Sequence, residues 1–237
     1  MHNIKSIYLK ELRSYFNSLM AYIFLVVFAV VNGYFFTNTF FLINQSNMRA
    51  LFNIIPLVYL FFIPAVSMSL IAREINLGTI ELINTMPIKI HEFVIGKYLA
   101  SVTLIVSGLA ITFVHFFTLM KVGINIDFGA AICGYVGLAL VGAVYASAGI
   151  FASSVTDNQV VSFIIAVFIV IVFWLLDKML IFVPSGLAGL IQFMSVDYHF
   201  TNLSRGVIDT RNLIYFGSVI GFFLFLTHRL MDVRKWK

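Results

Sequence analysis

The chain has 237 residues, 61% of them hydrophobic and only 11% charged, with a mean hydropathy of +1.02. A soluble domain is about 45–50% apolar and about 25% charged, so too few polar side chains exist to clothe a water-exposed globule, and an integral membrane protein is expected. The net charge of +5 suits anionic lipid head groups. No nucleic-acid partner is expected, because the basic residues flank apolar runs instead of clustering with aromatics.

Residues 1–17 set Lys5, Lys10 and Arg13 against Ile4, Ile7, Tyr8, Leu12 and Phe16. That spacing predicts an amphipathic interfacial helix leading into the first span, the alternative being a solvated leader. It does not read as a signal peptide, since its basic residues are dispersed and the apolar run after Leu19 is too long for an h-region.

Six apolar stretches follow, at about residues 19–43, 51–71, 98–120, 130–152, 159–183 and 213–228. They approach the ~20 residues a helix needs to cross a hydrocarbon core, and strand-like alternation of a barrel is missing. The expected fold is an all-α integral membrane protein of six transmembrane helices in one domain, 1–237. Ten of the fifteen Lys and Arg residues fall at the end that carries both termini and residues 73–97, and five at the other. That asymmetry predicts cytoplasmic termini. The segment 184–212 is too apolar for a free loop and too short to cross. It is expected to hold re-entrant or interfacial helices, followed by a wetter stretch with Asp197, His199, Arg205 and Asp209. Cys133 is the sole cysteine, so no intrachain disulfide or cysteine metal cluster can form.

Between spans two and three lies the longest polar interruption of the first half, residues 73–97. A helix from about Glu74 to Met86 would place Glu74, Gly78, Glu81 and Thr85 on one face and Ile75, Leu82, Ile83 and Met86 on the other. Pro87 would end it.

Catalytic signals are weak. His91-Glu92 begins a zinc-protease pattern, but Ile95 stands where the second His must be. His2, His91, His115, His199 and His228 are scattered, and no catalytic residue or metal ligand is assigned. Gly96-Lys97 lacks the earlier glycine of a phosphate-cradling loop, so no nucleotide site is expected in this chain. Ion-driven carriers place ionisable groups near mid-membrane, whereas here His115 and the Asp177-Lys178 pair sit toward span ends. Work for transport must then come from another subunit.

Glu74, Gly78-Thr79-x-Glu81-Leu82, Met86-Pro87, Glu92 and Gly96-Lys97 together resemble the loop after span two of ABC-2 type exporter permeases. The resemblance implies a cytoplasmic coupling helix seated in a groove of an ATP-binding-cassette ATPase subunit. Gly78 and Thr79 would start it, Glu74 and Glu81 would face basic groups of the ATPase, and Pro87 would end it; the alternative is a helix that only frames the loop. Residues 151–159 are similar to the short inner turn of the same permeases, with Thr156, Asp157 and Asn158 either touching the ATPase or capping spans. Residues 197–216 and the basic tail 234–237 resemble the gliding-motility-associated GldF branch.

Span four repeats small residues, Ala139, Ala143 and Ser147 among them, which allow close helix approach within the subunit or across a dimer seam. Pro56 and Pro64 are expected to kink span two. Asn32, Asn38, Ser67 and Ser69 are candidates for a translocation path, or else for ordinary interhelical hydrogen bonds. The resemblance thus implies a permease subunit of a bacterial inner-membrane exporter, binding no cofactor itself, with ATP and Mg in the partner ATPase. Its other partners would be a second or related permease and membrane lipids. A non-transporting scaffold and an ion-coupled carrier are the alternatives.

Overall fold

A computed structural model describes residues 2–42, 48–81, 88–123, 127–182 and 184–235. Its helices are α1 (His2–Phe16), α2 (Leu19–Thr37), α3 (Arg49–Ser67), α4 (Ala72–Asn76), α5 (Ile90–Val122), α6 (Phe128–Val155), α7 (Gln159–Lys178), α8 (Ser185–Met194), α9 (Val196–Ser204) and α10 (Thr210–Lys235). A π-helical turn, Asn38–Leu42, prolongs α2, and a 3-10 turn, Met179–Phe182, follows α7. No strand occurs among the described residues.

Helices α2, α3, α5, α6, α7 and α10 are long and apolar enough to cross a membrane. Successive spans reverse direction, so α1, α4 and the start of α5 gather at the end where α10 finishes, here the proximal end; α8 and α9 lie at the distal end. The all-helical, six-span expectation holds, with adjusted boundaries. Helix α5 begins at Ile90 and runs 33 residues, so His91, Glu92 and Lys97 belong to it and not to a loop. Helix α7 stops at Lys178.

The bundle is organised around α6, buried without interruption from Val141 to Ile150, with α3, α5, α7, α9 and α10 packed on it. Its small residues are used inside the subunit. A Cβ on Gly142 would come 2.7 Å from Ile105 Cγ2, and one on Gly137 3.0 Å from Phe200 Cδ2. Large side chains of α5 and α9 fill the notches glycine leaves, the dispersion-driven close packing expected where lipid offers no hydrophobic gain. Both prolines of span two lie inside α3, which runs through them.

Gly137 lies nine residues into α6, about 13 Å along its axis at ~1.5 Å per residue. Helix α9 therefore sits inside the distal end of the bundle. It buries Val196, Phe200 and Leu203, together with His199, which is only 1% exposed. The wetter stretch expected here is corrected at His199. Its ring nitrogens lie 2.7 Å from Asn212 Oδ1 and 2.8 Å from the Phe193 carbonyl, and it stacks on Tyr215 at 3.9 Å.

Candidate functional site

Helix α1 carries apolar and polar stripes, as its spacing predicts, and its apolar stripe is seated on α5. A Cβ on Gly96 would lie 2.8 Å from Ile7 Cγ2 and 3.2 Å from the Ile4 carbonyl, so only glycine lets α1 come this near. Polar contacts fix the docking along its length. Asn3 Nδ2 donates to Glu92 Oε2 at 3.0 Å, the Tyr8 and Thr103 hydroxyls meet at 3.2 Å, and the Tyr15 hydroxyl donates to the Val66 carbonyl at 3.1 Å. Burial, with the Glu11 charge adding to it, pushes the Tyr15 phenol far above its usual range, which keeps it a neutral donor. Lys5, Lys10 and Arg13 remain on the exposed face.

The chain leaves α3 at Ser67 and turns into α4. At the break, backbone groups lose their helical partners, and the hydroxyl of Ser153, near the end of α6, takes them up. It accepts from the Ile71 and Ala72 N–H groups at 2.9 Å each and donates to the Met68 carbonyl at 2.8 Å.

Helix α4 ends at Asn76, and the continuous helix expected from Glu74 onward is corrected here. Gly78 has φ +69°, in the left-handed region that favours glycine, and the helical path resumes only at Thr79. A Cβ at Gly78 would meet nothing within 4 Å, so backbone conformation and not crowding calls for glycine. The Thr79 hydroxyl donates to the Glu74 carbonyl at 3.2 Å, folding the tip back onto α4. The tip exposes Leu77 at 62%, with Arg73, Asn76, Gly78 and Glu81 around it.

The break in the helix also turns Glu74 inward instead of sharing an outer face with Glu81. Its carboxylate lies 3.1 Å from Lys97 Nζ and 3.5 Å from Lys10 Nζ, and its side chain is 14% exposed. Lys97 Nζ also binds Glu11 Oε1 at 2.8 Å and lies 5.0 Å over the Phe93 ring. The Lys97 side chain is 2% exposed. A buried ammonium is costly unless carboxylates surround it, and here they arrive from two other elements, α1 and α4. A cavity of about 820 Å³ opens beside this cluster, lined by Lys10, Arg73, Glu74, Lys97 and Gln159 among others.

The structure thus groups Glu74, Gly78, Thr79 and Glu81 in one braced proximal tip; Pro87 lies outside the described residues. The 156–158 turn is built as a pair of caps. Asn158 Oδ1 accepts from Val160 N at 2.9 Å and Thr156 Oγ1 accepts from Asn158 N at 3.2 Å, while Asp157 is exposed. Beside it, Arg234 Nη2 of α10 donates to the Val155 carbonyl at 2.8 Å. The path candidates are dispersed. Asn38 is half-buried past the distal end of α2, and Asn32 is buried with its Nδ2 donating to the Phe28 carbonyl at 2.7 Å. Ser67 donates to the Ile63 carbonyl at 2.8 Å, and Ser69 lines the proximal cavity.

Two residues that organise the tip, Lys97 and Ser153, fall within segments that resemble the family's loops, yet neither is among the candidate site residues. The tandem Ser153-Ser154 at a span end is the one sequence hint, because such hydroxyls serve frayed backbone. Among the described residues, no three His, Cys, Asp or Glu side chains gather where they could hold a metal ion.

A six-span helical bundle with a braced polar tip at one end defines a multi-pass membrane protein. The chain belongs to the ABC-2 transporter family: the model described as ABC-2 family transporter protein matches residues 5–205, from α1 through α9. It is accordingly a membrane permease subunit of a family whose members work with a separate ATPase. No curated protein matches the chain closely.

Proposed function

We propose that this permease is the membrane half of an exporter in the bacterial inner membrane, driven by an ATP-binding-cassette ATPase that seats on the 73–81 tip from the cytoplasm. The observation that carries the reading is the build of that tip. An exposed leucine and a left-handed glycine stand at its apex, with Arg73 and Glu81 on the rim, and the segment behind is fastened to α6 through Ser153 and to α5 through Lys97. An apolar apex within a charged rim suits docking into a protein groove, and a fastened base lets a displacement reach the spans.

The ten-to-five distribution of Lys and Arg supports a cytoplasmic proximal end. Gly78 and Thr79 shape the tip, Glu81 meets basic groups of the ATPase, and Glu74 acts from behind it. Thr156, Asp157 and Asn158 lie at the same end and offer a second contact, Asp157 being the exposed member. Hydrolysis of MgATP occurs in the ATPase and tilts the spans. The apolar windows of α2 and α7, only 28% and 17% buried within the chain, leave surface for lipid and a second or related permease. A link to gliding motility or secretion is supported only by the resemblance of residues 197–216 and the basic tail.

Glu81→Lys tests the docking. Membrane-bound ATPase should fall by roughly tenfold, the effect of removing about 1.4 kcal/mol of interaction, while the permease still inserts and elutes as a folded species. Unchanged co-purification of the ATPase would overturn the assignment.

A further inference from the structure

A docked tip is joined along the chain to α3 behind it and, through residues 82–89, to α5 ahead of it. The geometry points to a shorter, non-covalent route as well. We propose that Lys97 is a positioning residue that binds α1, the tip and α5 into one block, so that force on the tip is delivered to α5 and the interfacial helix as well as to α3. This inference rests on the docking reading above and names the element through which docking acts.

Three observations converge on it. Lys97 stands about two helical turns inside the proximal end of α5 with its side chain 2% exposed, and its two carboxylate partners, Glu11 and Glu74, belong to different elements. Helix α1 lies so close to α5 at Gly96, the neighbouring residue, that a methyl group there would strike Ile7. The backbone just behind the tip is meanwhile pinned to α6 by Ser153. A buried ammonium between two carboxylates resists separation in every direction, whereas apolar faces slide. With the cation gone, Glu11 and Glu74, each 14% exposed at the edge of the cavity, would repel each other, with Lys10, 3.5 Å from Glu74 and 69% exposed, beside them.

The test uses the full-length chain in phospholipid nanodiscs on a Cys133→Ser background, with nitroxides replacing Arg13 on α1 and Leu77 on the tip, both exposed. In the chain alone, the wild-type cluster should give one narrow 13–77 distance. Lys97→Met should broaden it by about twofold or more, because the uncompensated carboxylates push α1 and α4 apart. The neutral triple variant Lys97→Met/Glu11→Gln/Glu74→Gln should narrow it again. Should Lys97→Met fail to insert, Glu11→Gln takes its place and should loosen α1 alone. A distance that stays narrow in whichever of these two variants inserts overturns the proposal.

A second arm adds the partner ATPase, without spin label on the tip, and compares ATP turnover with and without permease. Lys97→Met should reduce the permease-dependent change in turnover about tenfold, within the range usual for coupling between sites, while leaving the amount of bound ATPase unchanged. Full coupling in that variant also overturns the proposal. A wild-type chain that binds no ATPase sinks the docking reading instead, and leaves the first arm to judge the block.

Discussion

The two ends of the bundle are closed by different chemistry. At the proximal end, a fully buried lysine gathers carboxylates from two other elements and a single serine hydroxyl serves three backbone groups. At the distal end, α8 and α9 are held mainly by hydrogen bonds and ring packing: His199 between Asn212 and the Phe193 carbonyl, the Tyr215 hydroxyl on the Met194 carbonyl at 2.5 Å, and stacked rings. The ion pair that joins α7 to α9, Lys178 to Asp197 at 2.8 Å, has a lysine side chain 50% exposed. A buried lysine held by two carboxylates is stiff but collapses if one member is lost, whereas scattered hydrogen bonds and ring packing give way piecemeal. The first suits a place that takes load, the second a place that only has to stay shut.

The sharpest way to break this contrast is to remove one lysine from each end. Lys97→Met should cost ~3–5 kcal/mol, the usual loss when a buried pair is left half-made, seen as early melting of the α1–α5 contact and rapid tryptic cleavage at Lys10 and Arg13. Lys178→Met should cost less than about 1 kcal/mol, as a half-exposed pair does. Equal costs would erase the distinction between the ends. Ser153→Ala should come next, at ~1–3 kcal/mol, because it strands buried N–H groups at Ile71 and Ala72; faster hydrogen exchange at those two amides is the readout. Gly78→Ala should cost ~1–2 kcal/mol, as for a left-handed residue that gains a Cβ. It reshapes the tip, so ATPase co-purification should drop more than the melting temperature.

What the sequence made legible was whatever repeats locally. Twenty-residue apolar runs, the two-faced pattern of residues 1–17 and the side-by-side placement of the termini with residues 73–97 all follow from periodicity and charge. The Lys97 cluster does not, because Glu11 and Glu74 come from elements that only folding brings together. Lys97 itself looked like a loop residue, since its polar neighbours hid the first two turns of α5. The break at Gly78 was concealed for the opposite reason: Ile75, Leu82 and Ile83 keep a helical period straight across it. His199 was misjudged because polar neighbours mark water only when no partner waits in the fold, and Asn212 lies on the next helix.

The spread of the proximal cluster along the chain has a consequence for biogenesis. Glu11, Glu74, Lys97 and Ser153 leave the ribosome in that order, so the first two spans reach the bilayer while both carboxylates still lack their cation. The tip cannot assume its final shape until the end of α6 has been made. Until then α1 and α4 stay hydrated at the membrane surface, and assembly of this end is a late, concerted event rather than a step completed hairpin by hairpin.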